Sequence, residues 1–560
     1  MPKAKIGIIV DDIISSKQIS DFIKLSQSSE SYEVTHLIIQ NSNIFKGNIF
    51  QKILQYINRR GLNTFISNAS FKILCKIESF IIKGIEDYTH FYDTFDLSEF
   101  DLKIVHVEPI ISNSGLVYSY SENDLEKIKS LELNLLVRGG GNILRGNILN
   151  ICENGIISFH HADNDINRGG PPGFWETKNR AKRTGFIIQR LTNELDGGDV
   201  LFKGFVSTSW MYSLTLAKLY EASNPFLHHT INTITSGSIE VNVLKKKPYS
   251  NSLYRTPNIK NQFVYFVRMM SQFLTKVFRK LSRKSLRWGV AYQFVDSWRD
   301  VTLRRSIKIP NPPNRFLADP FLIKKGESHF CYVEDYSYAT EKGHISVYEI
   351  TKDKCIEIGP ALEEDFHLSY PFIFEHEGNL FMCPETHKID EIRLYKCTKF
   401  PNEWKFEKTL MKNISAVDTN IFYKDNKWWM LTNLSTSGIG YHDSELHIFS
   451  NDNLLSEEWL PHPRNPVIFD SLCGRNGGFI LENGKYFRVF QKQGFNSLGD
   501  SFGVTFGVAE IKKIDNECYE ENYEFEVLPE FFNKIVGTHT YNYTEGLMVI
   551  DFVKPSKNKY

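Results

Sequence analysis

The chain has 560 residues, 41% of them apolar, with 66 lysines and arginines balanced by 66 aspartates and glutamates. That length exceeds a single hydrophobic core, and the neutral balance leaves no overall field to draw nucleic acid. The eight cysteines form no CxxC pair and no His/Cys cluster, so neither a zinc site nor a disulfide framework is indicated, and a reducing, cytoplasmic setting is expected.

The start, Met1-Pro-Lys-Ala-Lys, runs straight into an apolar strand without a signal-type h-region, and no window of about 18 uncharged apolar residues predicts a membrane-spanning helix. Lys5 to Val10 and Val34 to Gln40 read as parallel strands of an open α/β sheet, separated by a helix-compatible segment from Ser15 to Ser29. The opening is Rossmann-like but has only Gly7 where GxGxxG would stand, which argues against a dinucleotide there; Asp11-Asp12 at the strand end reads as a solvated loop. Residues 41–100 read as an insertion with helices near Phe45 to Ile57 and Phe71 to Ile85. Strands resume at Lys103 to Val107 and Leu133 to Val137, around a helix from Ser121 to Ser130 with Ser121 and Asp124 as capping candidates. Arg138-Gly139-Gly140-Gly141-Asn142 then offers either a tight turn or a backbone that a ligand can approach.

The densest chemical stretch follows. Gly155-Ile-Ile-Ser158-Phe-His160-His161 ends a buried strand in two histidines, and acids, Arg168-Gly169-Gly170-Pro171 and Gly173-Phe-Trp-Glu176 come after it without helical periodicity. A second strand from Gly185 to Leu191 empties into the turn Asp196-Gly197-Gly198-Asp199. A histidine and a carboxylate are thereby expected to face one substrate. The helix predicted from Tyr212 to Thr235 contains Pro225, which should kink or split it. Residues 260–287 form a basic amphipathic helix without an acid, suited to an anionic membrane face, to a phosphate-bearing substrate, or to packing as a linker.

From about Arg287 the texture changes to short aromatic and β-branched runs. Ala318-Asp-Pro-Phe, Tyr370-Pro-Phe, Asp418-Thr-Asn, Arg475-Asn-Gly-Gly and Thr538-His-Thr-Tyr each open a strand; marks at 319, 371, 418, 475 and 539 step by 52, 47, 57 and 64 residues. Such steps predict a five-bladed β-propeller whose polar marks converge on its channel. The fold class expected is therefore multidomain α/β plus all-β: 1–240 α/β, 241–288 a basic linker helix, and 289–560 the propeller.

The ordered set Ser158-Phe159-His160, Arg168-Gly169-Gly170-Pro171, Thr184-Gly185 and Asp196-Gly197-Gly198-Asp199 resembles the folate-dependent formyltransferases, with Ser158 in the place of that family's asparagine and His161 where proline is usual. The resemblance implies His160 as proton acceptor or oxyanion partner, Asp196 as the group that orients it and Ser158 as a hydrogen-bond donor. It also implies N10-formyltetrahydrofolate held near Gly139, Gly140, Gly141, Asn142 and Asp199, with no metal. The second half, at Ala318-Asp-Pro-Phe, His367-Leu-Ser-Tyr-Pro-Phe, Pro384-Glu-Thr, Trp428-Trp429, His462-Pro-Arg-Asn-Pro and Arg475-Asn-Gly-Gly, resembles the N-terminal module of glucosamine inositolphosphorylceramide transferases and, more distantly, arabinanase and xylosidase-clan glycosidases. That likeness implies Asp319 as a base, Asp418 as a pKa-tuning carboxylate and Glu385 as the proton donor; Tyr370, Arg475 and His539, at or beside the repeat marks, are expected to line the channel with them. Glycan hydrolysis, glycan recognition and pure architecture all remain open for it. The function expected is formyl transfer to the amine of a nucleotide-linked amino sugar for surface-glycan synthesis, by a chain that can form homo-oligomers and touch a membrane through 260–287. The rival is a carbohydrate-active propeller whose formyltransferase-like domain has altered chemistry.

Overall fold

A computed structural model of the chain describes residues 2–41, 48–113, 115–194, 197–237, 243–282, 284–438, 442–496 and 499–557. It divides into two compact units, Met1–Met270 and Ser271–Tyr560.

The first unit is built on a seven-stranded sheet of β1 (Ala4–Val10), β2 (Tyr32–Gln40), β3 (Lys103–Val107), β4 (Leu135–Arg138), β5 (Ile156–His160), β6 (Arg183–Arg190) and β7 (Asp199–Ser207), in the order β7-β6-β5-β4-β1-β2-β3. Strands β1 to β5 are mutually parallel, and β6 runs against both β5 and β7. The central strands are apolar runs buried end to end (Ile6, Ile8, Ile9; Leu135, Leu136, Val137; Ile156, Ile157), as parallel strands covered on both faces require. The chain leaves β1 first toward β2 and β3, then returns to build outward from β4. The order therefore reverses between β1 and β4, where an open α/β sheet leaves a crevice outside its strand ends.

Helices α1 (Lys17–Ser26), α2 (Ile49–Arg60), α3 (Leu62–Ile82), α4 (Glu122–Lys129), α5 (Phe174–Asn179) and α6 (Tyr212–Ser236) belong to this unit, and α7 (Ile259–Leu281) begins in it. Ser121 caps α4, its hydroxyl accepting from the Asp124 N–H. The expected start of the first insertion helix falls at residues 42–47, outside the described residues; Asn48 caps α2 with a capping box. The kink or split expected at Pro225 is not found: α6 is one helix through it. Phe226, Leu227 and Ile231 just beyond the proline are buried, and that packing holds the helix across the missing N–H. No described helix is long and apolar enough to cross a membrane.

The second unit consists of five antiparallel sheets. Four follow in sequence, each starting with its inner strand: β9 (Arg315–Lys325), β10 (Ser369–His376), β12 (Ala416–Lys424) and β13 (Asn476–Glu482). The fifth joins β8 (Lys284–Phe294) from the start of the unit to β14 (Tyr541–Thr544) and β15 (Leu547–Lys557) from its end; β8 pairs with β15 from Lys284↔Lys557 to Phe294↔Leu547. Strand β11 (Asn379–Glu385) is second in the sheet that β10 opens. The inner strands touch in the cyclic order β9, β10, β12, β13, β14 and back to β9, the arrangement of propeller blades. Apolar clusters fill the spaces between successive sheets, for example Phe321, Tyr370, Phe372, Ile421 and Trp428.

The repeat legible in the sequence has a backbone cause. Pairing with the second strand slips between Ala318 and Phe321, between Ser369 and Phe372, and between Val417 and Asn420. Inside each slip one residue is left-handed: Asp319 (φ 47°), Tyr370 (φ 45°) and Asp418 (φ 50°). A bulge of this kind re-aims a side chain, and left-handed backbone costs a non-glycine residue about 1–2 kcal/mol. In the second blade the bulged residue is Tyr370 rather than the neighbouring Pro371.

Candidate functional sites

In the first unit, Gly139 to Asn142 leave the end of β4 and His160 ends β5, the next strand, with Ser158 paired to Arg138. Both lie at the crevice where the strand order reverses. Asp11, read from sequence as a solvated loop, braces the glycine turn. Its carboxylate accepts from the Gly141 N–H (3.2 Å), from Asn142 Nδ2 (3.0 Å) and from Gln40 Nε2 (3.0 Å). A Cβ on Gly140 would stand 2.8 Å from Asp11 Oδ1, whereas around Gly141 nothing lies within 4 Å. The inner side of the turn is closed by Asp11 and its outer side is open.

His160 is half-buried, and its Nε2 lies 2.9 Å from the carbonyl oxygen of Asn167. A carbonyl can only accept, so Nε2 carries hydrogen and, in the neutral ring, Nδ1 is the accepting nitrogen. Asn167 in turn donates to Glu176 Oε1 at 3.4 Å. Glu176 is a residue whose role the sequence did not disclose: burial pushes its pKa up, and hydrogen bonds from its own backbone N–H and from Asn167 pull against that. Ser158 Oγ donates to the carbonyl of Phe159 at 3.0 Å, which directs its only donor to backbone rather than toward an oxyanion. His161 is enclosed by Phe159, Tyr220, Gln18 and Ser223, and burial, aided by His160, lowers its pKa to about 3. It is a neutral packing residue.

Asp196 lies outside the described residues. Asp199 is separated from the glycine turn: it starts β7, three strands from β4, at the sheet end where β4 begins, and is bound by Lys246 at 3.2 Å. The expected grouping of Asp199 with the glycine turn is not seen as a cluster, because β7 runs parallel to β4 and the two stand at opposite ends of the sheet. The loop after His160 folds back along β6, and Gly185 makes this possible, since a Cβ there would meet Asp163 N at 2.9 Å. A cavity of about 460 Å³ lies along that loop. It is lined by Asp163, Asp165 and six cations, Arg168, Arg183, Lys203, Lys245, Lys246 and Lys247, beside Gly197 and Gly198. Lys203 answers both aspartates, at 2.5 and 2.9 Å, so the remaining excess of charge is positive.

In the second unit the bulges collect titratable groups on the channel. Asp418 Oδ2 accepts from Arg475 Nε (2.6 Å) and Gln491 Nε2 (2.9 Å), and Arg475 also faces Glu385 at 3.9 Å. Glu385 pairs with His387 Nδ1 at 2.7 Å. Asp319 accepts from Thr540 Oγ1 (2.9 Å) and from the Tyr370 N–H (3.3 Å), and lies 3.7 Å from His539 Nε2. His539 Nδ1 is bound to Asp551, and its ring stacks on Trp288 at 4.0 Å. The Tyr370 hydroxyl donates to Asn420 at 3.0 Å. The structure thus brings Asp319 and His539 together, and Glu385, Asp418 and Arg475 together. It adds Glu334 and Asp551, which stand on the second strands of their sheets.

The electrostatics split these acids. Burial raises Asp418 to about 8 despite Arg475, and burial with neighbouring carboxylates raises Asp319 and, further, Glu334. Burial also works against ionised Glu385, but the His387 hydrogen bond and the Arg475 charge override it and hold its pKa at about 2. The electrostatics thus favour the ionised form at Glu385, which His387 and Arg475 both face, and the protonated form at Asp418, whereas the glycosidase likeness implies Glu385 as the proton donor. Burial lowers the pKa of His539, yet Asp551 and Asp319 outweigh that and raise it. Asp319, His539 and Asp551 offer ligand atoms within 4.8 Å of one another, the one described group able to converge on a metal ion.

An α/β unit with a strand-end crevice, followed by a propeller unit with a split-pKa carboxylate channel, is the class that fold and sites define. Residues 286–544 match the family described as glucosamine inositolphosphorylceramide transferase 1, N-terminal. The enzyme named glucosamine inositolphosphorylceramide transferase 1 from Arabidopsis thaliana is 33% identical over 214 residues, 37% of this chain and 27% of that protein. The chain thus spans about a quarter of that relative. A methionyl-tRNA formyltransferase of Bacillus velezensis is 31% identical over 144 residues, 25% of this chain and 44% of that protein. Among solved structures, glycinamide ribonucleotide transformylase 1 from Symbiobacterium toebii is similar over 43% of this chain and 95% of its own (13% identity, TM-score 0.28). Native Bacillus subtilis arabinanase is similar over 44% and 98% (14% identity, TM-score 0.31).

Proposed function

We propose that the first unit transfers a formyl group from N10-formyltetrahydrofolate to the amine of a phosphate-bearing amino sugar, and that the propeller unit recognises the glycan portion of its acceptor. The observation that carries this reading is the pairing of His160 with the open Gly139–Asn142 turn at adjacent strand ends in the crevice. The folate supplies the activated one-carbon group. His160, held at Nε2 by the Asn167 carbonyl, is the group placed to take the proton that the attacking amine must lose. The cationic cavity beside the His160 loop supports a phosphate on the acceptor, and the local similarity to a methionyl-tRNA formyltransferase supports the one-carbon chemistry. Purified chain incubated with N10-formyltetrahydrofolate and a panel of nucleotide-linked amino sugars should release tetrahydrofolate. That turnover should vanish in His160→Ala and persist in Asp319→Ala. Neither folate binding nor turnover with any acceptor would defeat the reading.

A second reading is favoured by the channel. An ionised Glu385 beside a protonated Asp418 is the split pair that acid–base cleavage of a glycosidic bond uses. Release of reducing sugar from arabinan or xylan oligosaccharides, lost in Asp418→Asn, would establish it.

A further inference from the structure

The helices at one side of the first unit present apolar side chains that nothing in that unit covers. In α2, Ile49, Phe50, Ile53, Leu54 and Ile57 share one helical face, yet no residue of α2 is buried and Phe50 is 66% exposed. Along α3, Ile66, Ile73, Ile77 and Phe80 follow at helical spacing as an exposed stripe ending in Phe80 at 71%, while Leu74, Glu78 and Ile82 on another face are buried. In α7 before Met270, Ile259, Phe263 and Val267 repeat every fourth residue in solvent, while Tyr265 and Met269 are buried.

These three stretches are tied together. The Tyr56 and Phe65 rings meet at 6.0 Å, Gln262 Nε2 donates to the Ser67 carbonyl at 2.8 Å, and the Tyr265 hydroxyl donates to Glu78. Their charge has one sign. Residues 48–83 carry Lys52, Arg59, Arg60, Lys72, Lys76 and Lys83, residues 259–270 carry Lys260 and Arg268, and the single acid in either stretch is Glu78, 0% exposed. Lys72 and Lys76 each stand one residue before an exposed isoleucine of the α3 stripe.

We propose that the α2–α3 hairpin and the start of α7 form a docking face for an anionic lipid bilayer. A bilayer answers both features: its headgroups meet the cations, and the upper acyl region takes isoleucine and phenylalanine to the depth that interfacial helices reach. A second copy of the chain answers only one, because a two-fold contact would set cation against cation.

The test is co-sedimentation of the full chain with vesicles of phosphatidylcholine alone and of phosphatidylcholine mixed with phosphatidylserine. The chain should pellet with the mixed vesicles only and be released as salt is raised. Lys72→Glu/Lys76→Glu/Lys83→Glu should weaken partitioning by at least about tenfold, and Phe50→Ser/Phe80→Ser/Phe263→Ser should weaken it at low salt too. All six positions are exposed, so circular dichroism should be unchanged; if either triple variant unfolds, the other and the parent's salt series decide. The proposal is overturned by a parent that stays in the supernatant with both vesicles or by folded variants that bind as well as the parent. It is overturned equally by a concentration-dependent dimer that the serine substitutions abolish, which would assign the face to a second copy.

Discussion

Arg475→Met tests the electrostatic account of the channel. Methionine keeps most of the apolar stem and removes the one guanidinium placed 2.6 Å from Asp418 and 3.9 Å from Glu385. Breaking a buried pair by removing one partner costs about 3–5 kcal/mol, and for a unit of this size about 2–4 °C of Tm accompanies each kcal/mol, so a loss of roughly 6–20 °C is expected. The pH dependence has a definite sign. A carboxyl held at about 2 in the folded state stabilises above its unfolded value and loses that contribution as pH falls through the folded one. Without Arg475 burial is opposed only by His387 and the hydrogen bond with Asp418, so the folded pKa of Glu385 climbs and the stabilisation at neutral pH shrinks. The deficit should be full at pH 7, begin to close only below about pH 4 and disappear toward the folded value of about 2. Thermal unfolding followed by tryptophan fluorescence reads this directly, because Trp288, Trp298, Trp404, Trp428, Trp429 and Trp459, six of the eight tryptophans, lie in the propeller unit. A variant as stable as the parent at pH 7, or a deficit that widens on acidification, would refute the reasoning.

Three further outcomes are expected. Because Asp418 is raised to about 8, the folded unit holds a proton that the unfolded chain releases near pH 4, so its contribution to stability falls as pH rises from about 4 to 8; Asp418→Asn should flatten that part of a Tm-against-pH curve. Glu78 accepts from Tyr265 and from the Ser213 N–H at the start of α6, so Glu78→Ala should cost about 2–4 kcal/mol in urea unfolding, and Glu78→Gln, which keeps an acceptor without a buried charge, markedly less. Gly185→Ala should push the His160 loop outward through its contact with Asp163, lowering the turnover proposed for the first unit while circular dichroism keeps its parental shape.

Strand content was legible where burial is two-sided. Ile6 to Val10 and Leu135 to Val137 have no polar interruption, and a run of that kind has few alternatives to a covered parallel strand. The propeller marks were legible because Asp319 and Asp418 stand at bulges, and a polar residue that breaks an apolar strand is visible in one dimension. What these residues do there was not. The split between Glu385 and Asp418 depends on His387, two residues along the chain from Glu385 but turned back onto it, and on Arg475, which approaches from another blade and leaves no trace in the spacing around either acid. Glu334 and Asp551 were missed for the related reason that they sit on second strands, whose side chains face the channel only once the sheets are assembled. Pro225 misled because a local rule about the missing N–H says nothing of the packing that holds α6 on either side of it. Asp199 was grouped with the glycine turn on order along the chain, which does not reveal at which end of the sheet a strand begins.

The pairing of β8 with β15 carries a consequence for biosynthesis. The segment that seals the fifth sheet, Leu547–Lys557, is made more than 250 residues after its partner Lys284–Phe294, so β8 leaves the ribosome without the edge it must bind. At about 5–20 residues per second the earlier sheets exist for many seconds as an open arc with an unpaired rim. Until Lys557 has emerged, that rim is the part of the nascent protein most in need of a chaperone.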